Sequence, residues 1–456
     1  MARRRGDPSL PPLATDISAD VVIVGGGFTG LWTAIALRQR KPDLKIVLIE
    51  AQVCGAGASG KNGGLVSGYW GSLPGIAKGL GANAALEIAR AGAKAQDALR
   101  AFVQNTEVDL WWREAGLVMV SASPAQDLSI QHAAQEAARL GVPHTAQQLT
   151  PQQVQSICGA SPFRGGIYYP EGATVHPGRL VRALRAHANR LGVAIFENTP
   201  MTALERGTPN RIVTPSGAIV ARDVVLATNV ELIKLREVAP YVTLFSSYAG
   251  MTEPAEEPLR STRWLGDQGL TDARMFVHYF RKTPDHRVLM GSGSGPIAFG
   301  AQTTSPLLFR DQASAGRVLA GVRRLLPELA RVRMAGIWGG PIDVATDRLP
   351  YFATIPRTRV HYAAGYSGHG VNPTYIGGQC LASLVLDEKD YWAQLPFCTR
   401  QRPTFPPEPL RFIGGRAIRW GILACEDAED MERKAGLCAR ALATLPELFG
   451  LRVGTR

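Results

Sequence analysis

Gly25-x-Gly27-x-x-Gly30 constrains this chain more than any other stretch, because both of its flanks are legible. Val21 to Val24 is an unbroken apolar run, the pattern of a parallel strand buried on both faces. Phe28 to Arg40 carries apolar residues at helical spacing and stops before Pro42, and Leu44 to Glu50 is a second β-rich run. These fifty residues therefore make one β-α-β unit. The glycines permit a tight turn, close approach to a pyrophosphate and close helix–strand packing. The helix N-terminus adds unpaired N–H groups and partial positive charge. Glu50, twenty residues after Gly30, is placed to accept hydrogen bonds from an adenosine ribose. A dinucleotide site follows. The motif does not separate FAD from NAD, although Glu50 disfavours a 2′-phosphate.

With 456 residues the chain is too long for one ordinary core, which predicts two domains or more. A 45% hydrophobic content supplies a substantial core and excludes a disordered chain. Lysine and arginine exceed the acids by 50 to 38, partly through Arg3, Arg4 and Arg5, read as a solvated tail. Elsewhere the basic residues are scattered without interleaved aromatics, so no nucleic-acid partner is expected. The six cysteines show no C-x-x-C and no spacing with histidine, which predicts reduced thiols in a cytoplasm and no metal. Val21 to Leu37 approaches membrane-spanning length, but Gly25 to Gly30 lie inside it and Asp20 and Arg38 bound it. No membrane insertion is expected. Asp7, Pro8, Pro11, Pro12 and Asp16 likewise argue against a signal peptide.

Beyond the first unit, helices are expected at Ala84–Ala101, Pro177–Leu191 and Asp311–Leu326, and strands at Asp109–Ser121, Val193–Phe196 and Val224–Ala227. Pro215-Ser216-Gly217 marks a hairpin between Arg211–Thr214 and Ala218–Val220. Strands at Met275–Arg281 and Val288–Gly291 belong to an alternating region. Residues 403–409 are a rigid connector before a tail expected to be helical from Ala428 to Leu445. Between Gly55 and Gly64 five glycines fall within ten residues, directly after Glu50. That density costs conformational entropy. Its place at the cofactor end of the sheet argues for a backbone surface against the cofactor, not for a linker.

V-V-I-V-G-G-G-F-T-G-L followed by G-x-G-A-S-G-K-N-G-G resembles the D-amino-acid-oxidase superfamily of FAD-dependent oxidoreductases, specifically its gamma-glutamylputrescine oxidase-like branch. Members of that branch usually read G-A-S-G-R-N-G-G; here Lys61 replaces the arginine, keeping charge without the planar fork. Other segments follow in family order: Tyr168 to Leu180, Glu197 to Met201, Val224 to Asn229, Tyr279-Phe280-Arg281 with Asp285-x-Arg287, Gly365 to Val371, and Phe405 to Arg411. The likeness spans roughly residues 18 to 412.

The resemblance implies an α/β fold: a doubly wound, Rossmann-like FAD-binding domain from residues 18–85, 150–235 and 330–390, and a mostly antiparallel α+β substrate domain from 86–149 and 236–329. Residues 391–456 form the connector and tail. It implies non-covalent FAD held by Gly25, Gly27, Phe28, Thr29, Gly30, Glu50, Ala58, Ser59, Lys61, Asn62, Gly63, Gly64, Met201, Ala227, Thr228, Gly368, His369, Gly370 and Val371. In relatives the Gly365–Val371 backbone faces the pyrimidine end of the flavin, where N–H donors stabilise charge on the reduced ring. Relatives with covalent flavin use cysteine or histidine, and Gly340 stands at one such position. Two further departures concern reactivity: Leu289 occupies the place of an oxygen-activating lysine, and Asn372 that of a carboxylate-holding lysine. Tyr69, His278, Arg281, Trp338 and Asn372 are candidate substrate contacts, and Arg274 with Arg281 could bind an acidic end. Each has a plain packing or ion-pair reading beside the functional one, and for His369 structure is favoured over acid–base work. The expected reaction is oxidation of an amine or amino-acid C–N bond, with electrons passing to oxygen. A flavin dehydrogenase feeding a quinone or carrier protein, a nicotinamide-dependent dehydrogenase, and a non-catalytic FAD protein remain as alternatives.

Overall fold

The four apolar residues after Asp20 are divided between two cores. Val21 and Ile23 pack with the helices Phe28–Arg40, Pro177–Arg190 and Pro373–Val385, while Val22 and Val24 join Val47, Ile49 and Leu226 on the opposite face. That division is what a strand covered on both sides requires. In the computed structural model, which describes residues 9–448, the strand Ile17–Val24 is central in its sheet. The order is Tyr351–Thr354, Val360–Ala364, Gly217–Leu226, Ile17–Val24, Ile46–Ile49, Ala194–Phe196. All neighbouring pairs are parallel except the first. The expected hairpin forms, with Asn210–Thr214 against Gly217–Leu226. Its second strand runs on through Val224–Leu226 to pair beside Val360–Ala364, so two expected strands are one.

A second, mostly antiparallel sheet has the order Met334–Ala345, Val242–Thr252, Val288–Ser292, His278–Lys282, Gly269–Asp272, Leu117–Val120, Gly166–Tyr169, Gln147–Leu149. It therefore takes in Gly166–Tyr169 and Met334–Ala345, segments that the division drawn from sequence gives to the FAD domain. The helix Gln312–Leu325 covers one face, packing Val318, Val322 and Leu325 on Phe280, Val288 and Met290. The strand expected over 109–121 is confined to Leu117–Val120, since Trp111 and Gly116 both adopt positive φ.

The tail also departs from expectation. It is two helices, Leu410–Asp430 and Leu437–Leu448, so the span 428–445 straddles a break at 431–436. Ile422, Leu423 and Ala443 pack on Phe276, and Arg419 donates to the carbonyls of Ser294 and Gly295. The pair is thus docked on the second sheet. Arg3 to Arg5 lie outside the described residues. Among the described residues no helix is long and apolar enough to cross a membrane.

Candidate active site

Several loops that lie far apart in sequence converge at the carboxyl ends of the parallel strands. Gly25 turns at φ +116°, and a Cβ there would lie 2.5 Å from the Ala227 carbonyl oxygen. Ala227 and Thr228 are therefore pressed against the turn, and the Ala227 N–H donates to Val24. The Glu50 carboxylate accepts from Gly26 N–H at 2.8 Å and from Gln52 N–H at 3.0 Å. Asn198 and Thr199 donate their N–H groups to the Gln52 and Glu50 carbonyls, which brings 197–201 alongside, with Met201 on the core below.

The glycine loop reaches back to this turn. Ser59 Oγ accepts from Phe28 N–H at 2.9 Å, and a Cβ at Gly27 would sit 2.9 Å from the same oxygen. Ala58 to Lys61 form one short helical turn. Asn62 braces the loop internally, accepting from Gly64 N–H at 2.8 Å and donating to the Ser59 carbonyl at 2.9 Å. The Lys61 side chain is exposed, while its carbonyl accepts from Trp338 Nε1 at 2.9 Å.

The third element is the loop 365–371. Thr29 Oγ1 donates to Tyr366 Oη at 2.9 Å, joining it to the first helix. Ser367 and Gly368 adopt φ +54° and +79°. Among the described residues the N–H groups of Gly368, Gly370 and Val371 have no protein acceptor. They stand just ahead of the helix Pro373–Val385, whose positive end adds to their field. The strand Met334–Ala345 spans between the loops: Trp338 binds the Lys61 carbonyl, and Ile342 lies 3.3 Å from where a Gly368 Cβ would point. A Cβ on Gly340, between them, would meet nothing within 4 Å.

The sequence signature of the FAD dependent oxidoreductase (DAO) family matches residues 20–384, four-fifths of the chain. The chain belongs to the FAD-dependent oxidoreductase family. It is 28% identical over 417 residues to the gamma-glutamylputrescine oxidoreductase of Escherichia coli K12, covering 89% of this chain and 91% of that protein. It is also 28% identical to a probable oxidoreductase OrdL of Rhizobium meliloti, over 91% and 92% of the two chains. Among solved structures, glycine oxidase from Geobacillus kaustophilus superposes with a TM-score of 0.68 at 21% identity, covering 84% of this chain and 99% of that one. That likeness shows the fold.

The loops fit the FAD that the family implies. Its fit rests on the unpaired amides of Gly368, Gly370 and Val371, the helix start at Phe28 where Gly27 brings no capping side chain, and the glycines whose Cβ atoms would intrude.

In this FAD-dependent oxidoreductase the second sheet decides which candidate side chains reach the loops. Tyr279 and Arg281 face them. The Tyr279 ring lies between Gly63 and Gly291, and Arg281 Nε donates to the Gly63 carbonyl at 2.6 Å. Leu289 is on the same face, 3.4 Å from a Gly63 Cβ position. His278 points the other way, because neighbouring side chains on a strand alternate. Its Nδ1 pairs with Asp272 at 3.0 Å, and its ring abuts Gly321 of the covering helix. It faces away from the glycine loop. Arg274 belongs to the same buried group, bonded to Asp272 and to Asp430 of the tail.

Two more candidates are buried behind the loop. Asn372 is fully buried and donates to Gly92 and to Gln96 of the helix Ala82–Gln104. Tyr69 is 1% exposed, wedged between His369 and Phe397. Both support the loop from behind. His369 lies against Ser67, 2.9 Å from both its hydroxyl and its carbonyl, and burial lowers the imidazole pKa to about 4. It is neutral near pH 7.

Sequence reasoning passed over Asp343 and Gly291. Asp343 had one signal, a lone acid inside an otherwise apolar strand. Gly291 had none, since its reason is a ring from the neighbouring strand.

Proposed function

We propose that this oxidoreductase oxidises the C–N bond of a small amine or amino acid, using non-covalently bound FAD. The unpaired amides of Gly368, Gly370 and Val371 are the observation that carries the reading. Donors aimed at one edge of a flavin lower the energy of its reduced, negatively charged form. Bound FAD supplies the hydride acceptor. The chain supplies position: Tyr279 and Trp338 lie against the glycine loop, and a Cβ on Gly340 would meet nothing within 4 Å. Gly340 also offers no atom for a covalent link.

Arg281 is 2% exposed, and among the described residues no carboxylate forms an ion pair with it. Burial lowers its pKa to about 10, so it keeps its charge near pH 7. We assign it to an anionic end of the substrate. Neutral His369 is occupied with Ser67, so no side chain of the loops is asked to take the substrate's proton. The amine enters uncharged, and the imine product hydrolyses in water. The names of the relatives agree with this chemistry: gamma-glutamylputrescine oxidoreductase, sarcosine oxidase subunit beta and glycine oxidase.

The test is anaerobic bleaching of the purified yellow protein by polyamines, their gamma-glutamyl conjugates and amino acids. Bleaching only by hydroxy acids or sugars defeats the C–N assignment. Steady peroxide formation in air identifies oxygen as acceptor. Its absence favours a dehydrogenase, the reading that an apolar Leu289 beside Gly63 supports. Arg281→Ala is expected to raise KM for an anionic substrate more than for a neutral one.

A further inference from the structure

Asp343 is 2% exposed, on the strand Met334–Ala345, directly beneath the loop whose amides carry the proposed function. Its carboxylate accepts from Gly365 N–H at 2.5 Å. Its main-chain oxygen accepts from Ser367 N–H at 2.9 Å. Two loop amides, those of Gly365 and Ser367, thus end on one residue. Gly365, Ser367 and Gly368 all have positive φ, so the backbone reverses there and presents its next N–H groups elsewhere. Ser367 Oγ tightens the arrangement, accepting from Ala345 N–H at 3.1 Å and donating to the Gly365 carbonyl at 3.0 Å. Among the described residues no lysine or arginine pairs with the carboxylate, and burial pushes its pKa up to about 7 against the pull of the N–H donors. A buried acid without a cation is costly unless its hydrogen bonds are needed.

We propose that Asp343 is a positioning residue: by holding the Gly365 amide on its carboxylate, beside the Ser367 amide on its main-chain oxygen, it turns those of Gly368, Gly370 and Val371 toward the cofactor and so raises the protein's preference for reduced over oxidised FAD. This rests on the reading under Proposed function. It adds that the electrostatic donors are set by a residue that touches neither cofactor nor substrate.

The experiment measures the midpoint potential of the FAD-loaded protein by dye equilibration, for wild type, Asp343→Ala and Asp343→Asn. Alanine removes both acceptor oxygens. A tenfold loss in the reduced-over-oxidised preference is expected, about 30 mV for a two-electron couple. Asparagine keeps one oxygen for the Gly365 amide but not the carboxylate charge, so a loss of about threefold is expected. A variant that folds, holds FAD and keeps the wild-type preference within twofold overturns the assignment. If the alanine variant does not retain FAD, the asparagine variant decides by the same threshold. Failure of wild type to bind FAD sinks the functional reading and this proposal with it. A wild type that binds FAD and is bleached by amines, beside unshifted variants, sinks this proposal alone.

Discussion

Gly291→Ala tests whether the Tyr279 ring is held where the second sheet meets the glycine loop. A Cβ at Gly291 would fall 1.9 Å from Tyr279 Cζ and 2.4 Å from its Oη. The ring has no retreat on its other side, because its Cε2 lies only 2.6 Å from where a Gly63 Cβ would point. Nor can it slide freely, since its hydroxyl is 3.2 Å from Ser247 Oγ. Overpacking of this kind costs about 1–3 kcal/mol. Losing the Ser247 hydrogen bond adds about 1 kcal/mol. The expected destabilisation is therefore about 2–4 kcal/mol, together with weaker FAD binding as the ring pushes on Gly63. Tyr279→Ala alone should cost about 3–5 kcal/mol by leaving a cavity. The double variant should cost less than the two singles together, by about 1–3 kcal/mol, because the added methyl then enters vacated space. Denaturant unfolding of the FAD-loaded protein, followed by tryptophan fluorescence, gives all three values. Additivity within about 0.5 kcal/mol would refute the proposed contact.

Glu50→Ala removes a carboxylate held by two backbone N–H groups beside the first turn. FAD affinity should fall about 10- to 150-fold, taking 1.5–3 kcal/mol for one charge-assisted hydrogen bond, as measured by titrating apoprotein with FAD. Gly25→Ala should yield no FAD-loaded protein, since it combines φ +116° with a methyl 2.5 Å from the Ala227 oxygen. A normal absorbance spectrum from this variant would contradict the close approach. Glu426 of the tail helix is buried against Phe276 N–H, and its carboxyl pKa rises to about 7, chiefly by desolvation. Because the folded state keeps this proton longer than the unfolded chain, its stabilising effect is complete below about pH 4.5 and is lost as pH rises through about 7. Glu426→Gln should flatten that decline, making the variant up to about 3 kcal/mol more stable relative to wild type at pH 8 than at pH 4. Parallel stability curves across that range would show that the group does not titrate this way.

The β-α-β unit, its glycines and Glu50 were legible because their signals are local: an apolar run, a turn chemistry and a helical period lie side by side in the chain. The glycine loop was legible as more than a linker for the same reason. The candidate substrate contacts fared differently. His278 and Tyr279 are neighbours with similar polarity and β-propensity, and alternation says only that they point apart. The tail was misjudged because acidic residues near Asp430 interrupt any simple apolar period, and the helix that docks begins at Leu410, directly after the connector.

By itself the sequence determined that this chain builds a dinucleotide-binding parallel sheet, because every requirement of that unit is met within fifty residues. Only the tertiary structure decided which face of the second sheet meets it. The helix Gln312–Leu325 takes His278 and Phe280 into its own contact, so Tyr279 and Arg281 are left to face Gly63. The same holds for Asp343, a buried acid made intelligible by two amides from some twenty residues downstream that bond to it. Burial and hydrogen bonding across such distances depend on how sheets stack, and stacking is settled by all the elements together.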